Sequence, residues 1–170
     1  MSLKDKLESL KRQEEERKQL EQDLPNKLAE WQDAIKQLYH SFRDSLKEYE
    51  AAGEIAFLEE PLALHEDLLG GYSVSLLRIK TPGSTIVLTP VGLFVIGAKG
   101  RVDMRVHGRG MRSDRYTLLR RLDSPPSEAE WIVSCPPARE ARDKVIKLGP
   151  YKFMPLSKDT IETALENMLA

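Results

Sequence analysis

The chain has 170 residues, 41% of them hydrophobic and 31% charged, with a formal net charge of -1. That length suits one compact domain carrying an appendage; no apolar run approaches the roughly 18 to 20 residues that span a bilayer, and a single cysteine excludes an internal disulfide framework. The opening "MSLKDKLESLKRQEEERK" is charged almost throughout and shows no secretory pattern, so the expected compartment is cytoplasmic.

The near-zero total hides an asymmetry. Residues 1–60 hold 10 Lys/Arg and 15 Asp/Glu, whereas residues 97–121 hold 8 and 2. An acidic arm and a basic patch are therefore expected, and complementary patches steer association.

From Leu3 to about Tyr49 the apolar residues keep a helical repeat. Leu3, Leu10, Leu24, Trp31 and Leu38 share one heptad position; Leu7, Leu28, Ile35 and Phe42 share the complementary one. Glu14, Arg17 and Glu21 fall on the same seam, so the stretch "RQEEERKQLEQD" is expected to pack weakly. Proline breaks a helix interior but is tolerated in its first turn, so Pro25 predicts a break. The first helix would end near Gln22 and a second, capped by Asp23, would run to Gly53. A kinked rod is favoured over a hairpin, because no glycine or long polar loop separates the halves. A helical coiled-coil arm over 1–53 and a β domain over 54–170 follow. The residues expected to mediate oligomerisation are Leu24, Leu28, Trp31, Ile35, Leu38 and Phe42.

After Gly53 the period changes. "IAFLEEPLALHEDLLGG" reads as a connector with short apolar runs that suit one strand or helical turn. Eight strand candidates follow: "YSVSLLRIKT", "TIVLTPVG", "LFVIGA", "RVDMRVH", "YTLLRRL", "EWIVSC", "KVIKLG" and "YKFMPL". Pro82–Gly83 marks a turn and Pro90–Gly92 a bend. Close spacing argues for an antiparallel sheet, curled or folded on itself. The last segment, "SKDTIETALENMLA", is an amphipathic helix capped by Ser157, with Ile161, Leu165 and Met168 on one face. The fold class is α+β: a helical N-terminal arm, a mostly antiparallel sheet and a closing C-terminal helix.

Chemistry is sparse in this pattern. His40, His65 and His107 lack the spacing of a metal site, Cys135 has no partner motif, and no glycine cluster forms a phosphate-binding fingerprint. No metal or cofactor is expected, and a binding role is favoured over an enzymatic one. On "RVDMRVH", Val102, Met104 and Val106 alternate with Arg101, Asp103, Arg105 and His107, as on a half-buried strand. Asp103 between two arginines suits an ion-pair ladder better than a proton shuttle. The one-sided sign of Arg101, Arg105, Arg109, Arg112 and Arg115 points to an anionic partner. A protein surface, including the acidic arm itself, is the favoured reading. Nucleic acid is the alternative, with those arginines on phosphates, but only Tyr116 accompanies them as a stacking platform. The expected function is a non-catalytic interaction or adaptor protein that self-associates through its N-terminal helices.

Overall fold

The computed structural model describes residues 2–108, 115–122, 130–135 and 152–169. Helix α1 spans Leu3–Ser45 and a short α2 spans Lys47–Ala51. Seven strands follow: β1 (Ala56–Glu66), β2 (Gly70–Thr81), β3 (Ser84–Gly92), β4 (Arg101–Gly108), β5 (Arg115–Arg120), β6 (Trp131–Cys135) and β7 (Lys152–Pro155). Helix α3 (Lys158–Leu169) closes the chain. The sheet is an antiparallel meander in sequence order, β1 to β7, and it is open: β1 and β7 are its edges. The α+β class, the antiparallel sheet and the closing helix are as the sequence leads one to expect.

Helix α1 begins in a capping box. The Ser2 hydroxyl accepts from the Asp5 N–H at 3.2 Å, and the Asp5 carboxylate accepts from the Ser2 N–H at 2.9 Å. It then continues through Pro25 without the expected break. Proline deletes one N–H bond, to the Glu21 carbonyl, but Glu21 and Pro25 are both exposed, so water can take the freed acceptor. The helix pair ends as predicted at Gly53, whose φ of 75° permits a Schellman closure: Gly53 donates to the Glu50 carbonyl and Glu54 to the Tyr49 carbonyl.

The segment expected to be a connector is an 11-residue strand, β1, fully paired with β2 from Ala56↔Lys80 to Glu66↔Gly70. Pro61 fits because β1 is an edge. The β2–β3 hairpin turns on Pro82–Gly83, with Gly83 at φ 80°. The bend expected at Pro90–Gly92 is a register shift in the β3–β4 ladder. "LFVIGA" is not a strand: residues 93–98 form bends with one isolated bridge, Val95↔Ala98. "KVIKLG" lies outside the described residues.

One apolar core joins helices and sheet. Trp31, Ile35, Leu38 and Phe42 of α1 pack with Leu77, Ile79, Ile86, Leu88, Val102, Met104, Leu118 and Val133, and with Ile161, Leu165 and Met168 of α3. The second half of α1 lies along the β1–β2 hairpin. Gln32 donates to the Ser73 carbonyl at 3.0 Å, and Tyr39 to the Ser75 carbonyl at 2.6 Å. Arg43 stacks on Phe57 and pairs with Glu59 at 3.0 Å. Residues 31–46 therefore contribute to one core with the sheet.

Candidate interaction site

The predicted seam divides in two. Trp31, Ile35, Leu38 and Phe42, expected from the sequence at an oligomer interface, are buried in the protein's own core. Their hydrophobic stripe was read rightly, but the surface that covers it is the sheet. Leu24 and Leu28 are half-buried, and every residue from 2 to 19 is exposed. Leu3, Leu7 and Leu10 stand 75%, 56% and 49% exposed on the same stripe. The first half of α1 thus projects beyond the sheet with an apolar face that no described residue covers.

Between those leucines the polar seam positions satisfy one another. Arg17 pairs with Glu14 at 2.7 Å and with Glu21 at 3.4 Å. The guanidinium holds the Glu14 carboxyl below its ordinary range, and Glu14 raises Arg17 in turn.

At the base of the arm, three stretches converge: 67–69, 93–100 and residues 121–122 after β5. Strand pairing places the end of β1, the start of β2, the end of β3, the start of β4, the end of β5 and the start of β6 on this one rim. Among the described residues eleven large hydrophobic side chains are exposed. Three are on the arm, and five (Leu68, Val91, Phe94, Ile96, Leu122) are on or beside the rim. Such concentration marks an interaction surface more than scattered exposed leucines would. The Lys27 ammonium lies 6.0 Å from the Phe94 ring centroid and joins arm to rim. A groove of about 350 Å³ lies there, lined by Lys27, Glu30, Leu93, Phe94, Arg120 and Leu122 among others.

The rim loop is held from beneath. The Glu66 carboxylate accepts from the Leu93 N–H at 3.1 Å and the Phe94 N–H at 2.9 Å, and also from the Tyr72 hydroxyl. Tyr72 in turn accepts from Trp31 Nε1 at 3.2 Å. Burial, and next the hydrogen bond to Glu66, push the Tyr72 phenol upward, so it stays a donor. The Trp31 ring lies 6.1 Å from that of Trp131, and Gly100 presses its Cα face on Trp31. Trp131 Nε1 is buried with no hydrogen-bond partner among the described residues. The sequence offered one signal for this loop: glycines at 92, 97 and 100 around "LFVIGAKG". The Glu66–Tyr72–Trp31 chain carried none, because its members are far apart in sequence.

The basic patch is only partly visible. Arg109 and Arg112, and the side chains of Arg115 and Cys135, lie outside the described residues. Arg101 forms a two-point pair with Asp103, at 2.8 and 3.3 Å, as expected of a ladder. Arg105 is exposed, paired through the backbone with Val87 and Arg115. Lys80 and His107 flank it one step along the same face, each opposite Thr85. Arg78 is neutralised by Glu60 at 2.8 Å, and Arg120 by Glu130. Several cations on this part of the sheet are thus paired within the molecule.

His40, His65 and His107 are all exposed, on α1, β1 and β4. Among the described residues no three His, Cys, Asp or Glu side chains group as a metal site. A cleft of about 390 Å³ runs between α1 and the β1–β2 hairpin, past Tyr39 and Glu59, but both are engaged, with the Ser75 carbonyl and Arg43 respectively. No helix among the described residues is long and apolar enough to cross a membrane, which says nothing of strands. Comparison with protein-family models, with curated proteins and with solved structures finds no match for the chain.

Proposed function

We propose that the protein is a non-catalytic interaction module that self-associates through the projecting half of α1 and presents the arginine-bearing face of β4–β5 to an anionic protein partner. The observation that carries the reading is the arm. A run of residues with Leu3, Leu7 and Leu10 exposed on one stripe is helical yet uncovered by its own domain. Isolated helices are marginal in water and gain most stability from packing an apolar face. A partner surface supplies that packing.

Light scattering tests the reading. The intact protein should exceed the monomer mass, and Leu7→Asp with Leu24→Asp should return it to monomer while its tryptophan fluorescence stays native. A monomeric wild-type protein at high micromolar concentration would remove self-association from the proposal. The alternative, nucleic acid on Arg101, Arg105 and their neighbours, predicts oligonucleotide affinity falling steeply with salt. The scarcity of stacking aromatics beside these arginines, with only Tyr116 among them, favours the protein partner. Tight, salt-sensitive binding of a mixed-sequence oligonucleotide would reverse that preference.

A further inference from the structure

Resting on that reading, we infer that two copies of the chain pair their arms antiparallel, in a register that sets Leu7 against the partner's Leu24 and Leu3 against the partner's Leu28. Antiparallel heptads match the two seam positions so that facing residue numbers have a constant sum. The sum of 31 is the one that stacks leucine on leucine at both ends of the arm. It also places Glu14 opposite the partner's Arg17, and Arg17 opposite the partner's Glu14. A parallel, in-register pair would set Glu14 on Glu14, Arg17 on Arg17 and Glu21 on Glu21, three like-charge layers in succession. Polar seam residues commonly fix register and orientation in this way. In the parallel pair Lys6 would face the partner's Lys6, whereas at a sum of 31 it faces the partner's Pro25.

The rim supports the same register independently. The stripe of Leu24 and Leu28 continues directly into Trp31 and Ile35, so a helix laid on it would extend the line of the sheet. The partner's first turn would then arrive at Leu28, next in the chain to Lys27, whose ammonium lies over the Phe94 ring. Phe94, Ile96 and Leu122 are exposed at that point. The interface is isologous: the same patch is used twice about one two-fold axis, which closes the assembly at two chains.

The experiment uses the unmodified protein. Equal amounts of ordinary and nitrogen-15-labelled chains are mixed, treated with an amine-reactive cross-linker and digested for mass spectrometry. The register places Lys4 opposite the partner's Lys27, whereas within one helix they are about 35 Å apart. Mixed-isotope Lys4–Lys27 links are the expected result. Mixed-isotope Lys4–Lys4 and Lys27–Lys27 links, with no Lys4–Lys27, would overturn the orientation but leave self-association standing. A monomer mass without intermolecular links would overturn both. A second variant separates the two arrangements through affinity alone. Arg17→Gln removes two cross-chain attractions from the antiparallel pair and should weaken it about tenfold; in the parallel pair it removes a repulsion, so tighter association would refute the register.

Discussion

A methyl group added at Gly100 would sit 2.2 Å from a carbon of the Trp31 ring, in a backbone with φ of 152° that other residues rarely adopt. Trp31 is fully buried and tied through Nε1 to Tyr72, so it has no easy retreat. Overpacking of this kind costs about 1–3 kcal/mol, and the unfavourable φ about as much again. Gly100→Ala should therefore lower the melting temperature strongly. Gly83→Ala, at φ 80° in open space, should pay the backbone strain alone and lose about 1 kcal/mol. Equal losses in the two variants would show that the Trp31 contact is slack. Tyr39 makes a pH prediction at the same scale. Burial, and next the Glu59 charge, push its phenol far above the ordinary value. A group whose pKa is raised by folding contributes stability that is complete below its unfolded value and fades as pH rises. For a tyrosine that loss begins near pH 10 and continues upward, at about 1.4 kcal/mol per pH unit. Tyr39→Phe should flatten the alkaline limb of the stability profile, while costing about 1 kcal/mol at neutral pH for the bond to the Ser75 carbonyl. An unchanged alkaline slope, read by urea melts between pH 9 and 12, would refute the assignment.

At the scale of elements, α1 is one helix with two environments, and the same kind of residue should behave differently along it. Leu38 is fully buried, so Leu38→Ala should cost about 2–5 kcal/mol. Leu7 is exposed, so Leu7→Ala should leave the stability of the domain core within about 0.5 kcal/mol and act on association instead. Urea denaturation followed by tryptophan fluorescence measures the first effect, and sedimentation at several concentrations the second. The heptad was legible because it is local: spacing alone put Leu3 and Leu38 on one stripe. Which part of the stripe the sheet covers was not, since that depends on contacts such as Gln32 with Ser73 and Tyr39 with Ser75, 41 and 36 residues apart in sequence. Pro25 misled because its local penalty is real but small beside the packing that fixes the helix downstream. β1 was legible only as one of two options within a connector, for a similar reason. Glu59, Glu60 and Pro61 interrupt its alternation, and only its place at the sheet edge makes the proline acceptable. β4 was legible in full: Val102, Met104 and Val106 are all buried on its inner face.

For the whole molecule, these two environments imply that folding has two readouts. Trp31 and Trp131 are both buried, in ring contact at 6.1 Å, so tryptophan fluorescence reports the shared core of α1, sheet and α3. Far-ultraviolet circular dichroism reports that core together with the projecting half of α1. The core is one contiguous cluster and should melt as a unit, with a midpoint that depends little on protein concentration. The arm has no intramolecular cover among the described residues, and under the proposed self-association its helix would be stabilised by mass action. In dilute solution the dichroism curve should therefore begin to fall before the fluorescence curve. Raising the protein concentration a hundredfold should shift the early phase upward by about 2.7 kcal/mol of linkage and draw the two curves together. Arg17→Gln should widen the gap at a given concentration and leave the fluorescence midpoint in place, because among the described residues Arg17 pairs with Glu14 and Glu21 alone, both on the exposed half of α1. Curves that coincide at every concentration would mean that the arm draws its stability from its own domain, and the case for a second chain would fall with them.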